Sequence, residues 1–212
     1  MEESSSREKV LKKVRNALLN KQDKPVKDLD FTSSVFYNLE DTLDVTFAQE
    51  LTKASGNFLF CDSIEKFTEK LKSLIEQKRW NYIQCTDKKI HLLLKQAKIP
   101  YKYSESALMD AEVGLTWCEY LVARFGSIVV SSKGQSGRRM NVFPETHLVL
   151  AFTSQIVPDI KDAMANLKKK YQNSLPSMIA FITGPSRTAD IEKTLVMGAH
   201  GPKNLYVFLV DA

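Results

Sequence analysis

Four short runs in the second half of this chain, Ser127–Ser131, 147–152, 177–183 and 205–210, are apolar almost throughout rather than at every second position. A strand with one wet face alternates, whereas a run apolar on both sides belongs to a sheet covered on both faces. Such coverage is supplied by helices, so these runs predict an α/β domain built on a mostly parallel sheet flanked by helices.

The first half agrees with that reading. Asn57–Cys61 and 82–85 read as short buried strands, and each is followed by a helical pattern. Asp62 with Glu65 resembles a capping box ahead of Ile64, Phe67, Leu71, Leu74 and Ile75, and Thr86 can cap a helix over 87–96. Strand, helix, strand, helix in this order is the pattern of parallel βαβ units. Upstream, 41–55 predicts a helix with Leu43, Phe47, Leu51 and Ala54 on one face, closed by Gly56 at C′. Residues 7–20 carry Val10, Leu11, Val14 and Leu18 at helical spacing, and 21–37, with Pro25, reads as a linker. The expected division is therefore an N-terminal helix and linker over 1–38 and an α/β domain over 39–212. The helix at 7–20 can cap that domain, or pack on a neighbour or a second subunit.

Residues 117–124 read as a helix, turned by Phe125-Gly126 into the strand Ser127–Ser131; a loop with Gly134, Gly137, Arg138 and Arg139 follows. Pro158 suits N1 of a helix running to about Tyr171. The densest chemistry lies at 181–203. There an apolar run stops at Thr183-Gly184-Pro185, and helix-compatible residues follow from Ser186. A strand–turn–helix junction leaves unpaired amides and the positive end of a helix dipole at the turn. With the Arg187 guanidinium, this makes an anion-binding cleft to which Thr183, Gly184, Ser186, Thr188, Asp190 and Gly201 are expected to contribute. Arg138 and Arg139 are placed to close over the same ligand. Ser186 or Thr188 as a plain N-cap and solvated arginines are the competing readings, and Glu192 reads as structural.

His200, held between Gly198 and Gly201-Pro202, and Glu119 are the candidate acid–base residues, while His147 reads as structural. Three cysteines, Cys61, Cys85 and Cys118, stand far apart with no CxxC pair. They predict no metal site and no iron–sulfur cluster in this chain. The three histidines are too dispersed to assert one. Neither glycine stretch matches a nucleotide-binding fingerprint. The formal charge of +5 is modest, and the run 168–170 reads as a solvated helix face, so nucleic acid is disfavoured. No apolar run approaches the roughly 18 residues of a membrane span and no secretion signal is evident, so a cytoplasmic protein is expected.

The blocks DAEVGLTWCEYLVARFGSIVVSS, RRMNVFPETHLVL and MIAFITGPSRTADIEKTLVMGAHGPKNLYVFLVD, spread over 110–212, resemble the lactate-utilisation (LUD) domain family, most closely its protein C type. The resemblance implies a fold similar to the NagB/RpiA/CoA-transferase group. It also implies a soluble subunit that supports oxidation of L-lactate to pyruvate beside iron–sulfur partner proteins, which would carry the clusters. A homo-oligomer is compatible with it, and no catalytic residue is carried over. Where relatives commonly read A-E-T-G-[TS], this chain has Ala123-Arg124-Phe125-Gly126-Ser127, which puts any role of that acid in doubt. Two other classes stay open at this point. One is a stand-alone enzyme acting on a phosphorylated or CoA-type substrate; the other is a carboxylate-binding regulatory module.

Overall fold

The computed structural model describes residues 5–19, 36–103, 108–172, 174–191 and 194–211, the side chains of 189–191 and 194–195 excepted. The chain divides into two units, Met1–Asn38 and Leu39–Ala212. In the first, α1 (Ser6–Leu19) opens on a reciprocal pair of bonds: the Ser5 amide donates to Glu8 Oε2 at 2.9 Å and the Glu8 amide to Ser5 Oγ at 3.3 Å. Val10, Leu11, Val14 and Leu18 are exposed on it.

The second unit runs α2 (Leu43–Lys53), β1 (Asn57–Cys61), α3 (Ile64–Lys78), β2 (Ile83–Gln84), α4 (Lys88–Gln96), β3 (Tyr101–Lys102), β4 (Val113–Trp117), β5 (Tyr120–Val122), β6 (Ser127–Ser131), β7 (Thr146–Phe152), β8 (Ile156–Val157), α5 (Ile160–Tyr171), β9 (Ile179–Ile182), β10 (Arg187–Ile191), β11 (Thr194–Met197) and β12 (Asn204–Val210). Six strands form a parallel sheet in the order β1-β12-β7-β4-β2-β3. A second sheet, β8-β5-β6-β9, is antiparallel except where β5 meets β8.

Alternation along the strands builds three apolar layers. On one face of the parallel sheet Leu148, Leu150, Phe208 and Val210 pack with Phe67 and Leu71 of α3 and Ile90 and Leu94 of α4. On the other, Val149, Ala151, Val207 and Leu209 meet Leu121, Ile128 and Val130 of the second sheet and Phe47 and Leu51 of α2. The outer face of the second sheet, Val122 and Val129, is covered by Ala163 and Leu167 of α5. Strands β6, β7 and most of β12 are thus buried on both faces, which is why they read as unbroken apolar runs, while the edge strands β1 and β9 are only partly covered. The α/β expectation holds, with a second sheet doing part of the covering expected of helices.

Two expected helices are strands. Within 117–124, Tyr120 and Val122 point to the α5 layer while Leu121 and Ala123 point to the inter-sheet layer. That is a period of two, so the segment pairs as β5 and only Ala123–Phe125 makes a 3-10 turn. The helix expected after Ser186 is the hairpin β10–β11, with Arg187 opposite Met197 and Thr188 opposite Val196. Its β-branched residues Thr188, Ile191, Thr194 and Val196 favour the extended form.

The caps are displaced, by one residue at α3 and α4 and by two at α5. Ser63, not Asp62, accepts from the Lys66 amide at the start of α3. Asp87, not Thr86, caps α4, and Asp159 caps α5 where Pro158 was expected at N1. At the end of α2 it is Ser55, at φ 67°, that takes the left-handed C′ position, with the Gly56 amide returning to the Leu51 carbonyl. Two glycines seat this helix end. Gly126 (φ 58°) lies against the Leu51 backbone amide and Gly184 (φ 81°) against the Ala54 carbonyl, so a Cβ at either would strike α2 backbone.

Candidate functional site

Leaving β2, the chain enters α4 on one face of the parallel sheet; leaving β4, it enters the second sheet on the other. Divergence of this kind opens a crevice at the carboxyl ends of the strands, the usual place for a ligand in such sheets. Here it holds a cavity of about 400 Å³. Trp117 and Phe152 at the ends of β4 and β7, Glu119, Ser131 at the end of β6, Lys89 of α4 and Lys170 and Tyr171 of α5 all line it. A second lobe of about 280 Å³, bounded by Thr86, Tyr103, Leu108 and Gly137–Met140, shares Gln135 and Ser136 with the first. Gln135 pins this loop to α4, its Oε1 accepting from the Lys88 amide at 3.0 Å.

Glu119 is the fixed point of the first lobe. It is 7% exposed; its Oε1 accepts from Ser131 Oγ at 2.5 Å and Tyr171 Oη at 2.6 Å, and its Oε2 from Lys170 Nζ at 2.7 Å. Burial opposes its charge, yet the bonds from Lys170, Ser131 and Tyr171 bring its carboxyl below the ordinary value. Burial and the same carboxylate push the Tyr171 phenol up. Gln155 fixes the backbone beneath: its Nε2 donates to the carbonyls of Cys118 at 2.7 Å and Glu119 at 3.3 Å. Lys133 Nζ donates to the carbonyl and hydroxyl of Ser174 and lies 5.0 Å from the Tyr171 ring centre.

Among the described residues, five cations (Lys89, Lys133, Lys170, Arg138 and Arg139) line the two lobes against two carboxylates, Asp87 and Glu119. Arg138 Nη2 donates to Ser177 Oγ at 2.6 Å. Three polar side-chain atoms at the walls, Thr86 Oγ1, Trp117 Nε1 and Asn141 Oδ1, are buried with no partner among the described residues.

The residues expected around Thr183 gather elsewhere. Thr183, Gly184, Ser186, His200 and Gly201 line a separate cavity of about 230 Å³ with Pro185, Pro202 and Leu205. Among the described residues no helix follows Thr183-Gly184-Pro185. The Ser186 amide donates to the Pro202 carbonyl at 2.8 Å, and the Ser186 carbonyl accepts from the Gly198 amide at 2.7 Å. The anion cleft at a helix N-terminus therefore falls, since its dipole and free amides belonged to a helix that is a hairpin. Thr183 Oγ1 lies 2.6 Å from Ser127 Oγ. Arg187 is exposed and Thr188 half-buried on β10; neither lines this cavity, and the side chain of Asp190 and all of Glu192 lie outside the described residues. Arg138 and Arg139 line the second lobe of the crevice instead.

His147 stands at the wall of this third cavity, fully buried, with Nε2 2.8 Å from Thr116 Oγ1. Its Nδ1 has no partner among the described residues, and burial pushes its pKa down to about 4. The departure at Arg124 belongs to neither site. Arg124 Nε donates to Asp159 Oδ2 at 3.0 Å and the Arg124 amide to the Pro158 carbonyl, tying the 3-10 turn to the cap of α5.

Ser131, Lys170, Tyr171, Gln155 and Asn141 were not anticipated. Lys170 was read with its neighbours as a solvated helix face; only its contact with Glu119 distinguishes it. Among the described residues no three His, Cys, Asp or Glu side chains converge to hold a metal ion, and no helix is long and apolar enough to cross a membrane.

A model of the LUD domain matches residues 45–210. Curated relatives include lactate utilization protein C of Geobacillus thermodenitrificans, 37% identical over 108 residues, and of Anoxybacillus flavithermus, 39% identical over 102 residues. The matched segments cover 50% and 48% of this chain and 45% of each relative. The Bacillus subtilis lactate utilization protein C is 38% identical over 105 residues, 48% of this chain and 44% of that protein. The chain thus spans somewhat under half the length of the curated relatives it matches. Among solved structures, a DUF162 family protein from Deinococcus radiodurans superposes with a TM-score of 0.60 at 16% identity, covering 79% of this chain and 96% of that one. This likeness is one of fold.

Proposed function

Because this chain belongs to the LUD-domain family, we propose that it serves lactate utilisation by holding a small 2-hydroxy carboxylate in the basic crevice, while iron–sulfur partner proteins accept the electrons. Oxidation of L-lactate to pyruvate releases two electrons and two protons, so an acceptor has to be brought to the bound acid. The observation that carries the reading is the excess of cations over carboxylates around the two lobes. A carboxylate is held best by charge-assisted bonds at the edge of a low-dielectric wall, and Lys133 and Lys170 stand at such an edge beside Trp117 and Phe152. Glu119 neutralises part of this charge and fixes Lys170 and Tyr171 in place.

The test is calorimetric titration of the protein with L-lactate and with pyruvate, before and after Lys133→Ala, together with recovery of iron–sulfur proteins that co-purify with it. Loss of one charge-assisted bond, about 1.5 kcal/mol or more, should weaken binding roughly tenfold or more. Unchanged affinity would remove the crevice from the reading. Turnover of a phosphorylated or CoA-type substrate without any partner would favour a stand-alone enzyme. Tight binding without turnover in every reconstitution would favour a regulatory module.

A further inference from the structure

The crevice is larger than a three-carbon acid needs. Its first lobe alone, about 400 Å³, falls in the range of roughly 300–1,000 Å³ that suits ligands of drug size, and the second, about 280 Å³, lies beside it with Gln135 and Ser136 in both walls. L-lactate, with three carbons and three oxygens, would fill a corner of it. The chemistry of the two lobes also differs. The first carries two half-buried aromatic rings, Trp117 and Phe152, with centres 5.2 Å apart and planes 36° apart. The second lobe carries two exposed guanidinium groups, Arg138 and Arg139.

We infer that the whole crevice receives a nucleotide, its heteroaromatic ring in the first lobe and its phosphates in the second. A planar ring gains by stacking on an aromatic wall. Paired guanidinium groups are the usual equipment for phosphate oxygens. One side of the Arg138 guanidinium is already fixed by Ser177, which leaves the fork less entropy to lose. No glycine fingerprint is involved; recognition comes from side chains on a loop pinned to α4. The inference rests on the reading that this crevice takes anions, and adds a second, larger ligand to it.

ADP is the probe, with inorganic pyrophosphate and L-lactate as comparators. Trp80→Phe leaves Trp117 as the one tryptophan of the chain, so its fluorescence reports on the first lobe. ADP should quench Trp117 and bind at least tenfold more tightly than pyrophosphate. Arg138→Ala with Arg139→Ala should weaken both at least tenfold, while circular dichroism shows the fold intact, both side chains being exposed. Pyrophosphate binding as tightly as ADP would remove the ring from the first lobe. ADP binding that neither perturbs Trp117 nor responds to the arginine changes would place it elsewhere and overturn the inference. L-lactate bound and ADP not bound would overturn the nucleotide while leaving the carboxylate reading standing; the reverse would retain the nucleotide and remove the acid.

Discussion

Acidification from pH 7 to pH 5 should cost this fold about 2 kcal/mol through His147 alone. The imidazole is fully buried between the two sheets, its pKa pushed down to about 4 by that burial, whereas an unfolded histidine titrates near 6.5. Between those values the unfolded chain takes up a proton that the folded chain refuses. Stability is therefore complete above about pH 6.5 and falls as pH drops toward 4. Below that, both states are protonated and the loss levels off at about 3 kcal/mol. Over pH 7 to 5 the same linkage gives the figure of about 2 kcal/mol, before most carboxylates titrate. Urea unfolding at both pH values measures it. The control is His147→Gln, which can still bond Thr116 but cannot titrate. The variant should lose about 2 kcal/mol less than the parent over that interval, and histidine proton resonances should show one ring neutral at pH 5. An equal loss in parent and variant, or titration of that ring near pH 6.5, would refute the argument from burial.

Two further outcomes are expected. Gly184→Ala combines a left-handed backbone with a clash against the Ala54 carbonyl and should cost about 3 kcal/mol or more, whereas Gly137→Ala, also left-handed but facing open space, should cost about 1–2 kcal/mol; chemical denaturation compares the two, and equal costs would remove the clash. Arg124→Glu sets a carboxylate against Asp159 in a largely covered pair and should destabilise by about 2–3 kcal/mol, read by thermal melting, with Arg124→Gln costing less. A neutral Arg124→Glu would make the departure from the family pattern inconsequential.

The strands β6, β7, β9 and β12 were legible from their unbroken apolar runs, but those runs do not say that β6 and β9 leave the parallel sheet for a second, antiparallel one. Helices α3 and α4 were legible from periodicity, with their capping residues misplaced by one because Asp62-Ser63 and Thr86-Asp87 each offer two adjacent caps. Segment 117–124 was misread because its short strand lies between two apolar layers, so both periods fit its composition. The hairpin β10–β11 was misread because polar, helix-compatible residues there gave no buried stripe to decide the period. Glu119 was visible as a lone acid, but the residues that make it a site, Ser131, Lys170 and Tyr171, lie 12, 51 and 52 positions away. No local spacing encodes such a meeting. Arg138 and Arg139 were grouped with Thr183 and its neighbours, whereas they line the second lobe, since nothing in the sequence says that their loop is pinned to α4 by Gln135.

The place of β12 in the parallel sheet bears on how the molecule is made. It lies between β1 and β7, with Tyr206 opposite Asn57 and Leu148, so a strand from early in the domain waits for its neighbour until nearly all the intervening chain has left the ribosome. Until then β1 has only its sequence neighbours α2 and α3 to pack on and presents an unsatisfied edge. Assembly of this sheet is therefore a late, long-range event with a large loop-closure cost. A ribosome stalled before residue 204 would carry a nascent chain whose halves cannot join.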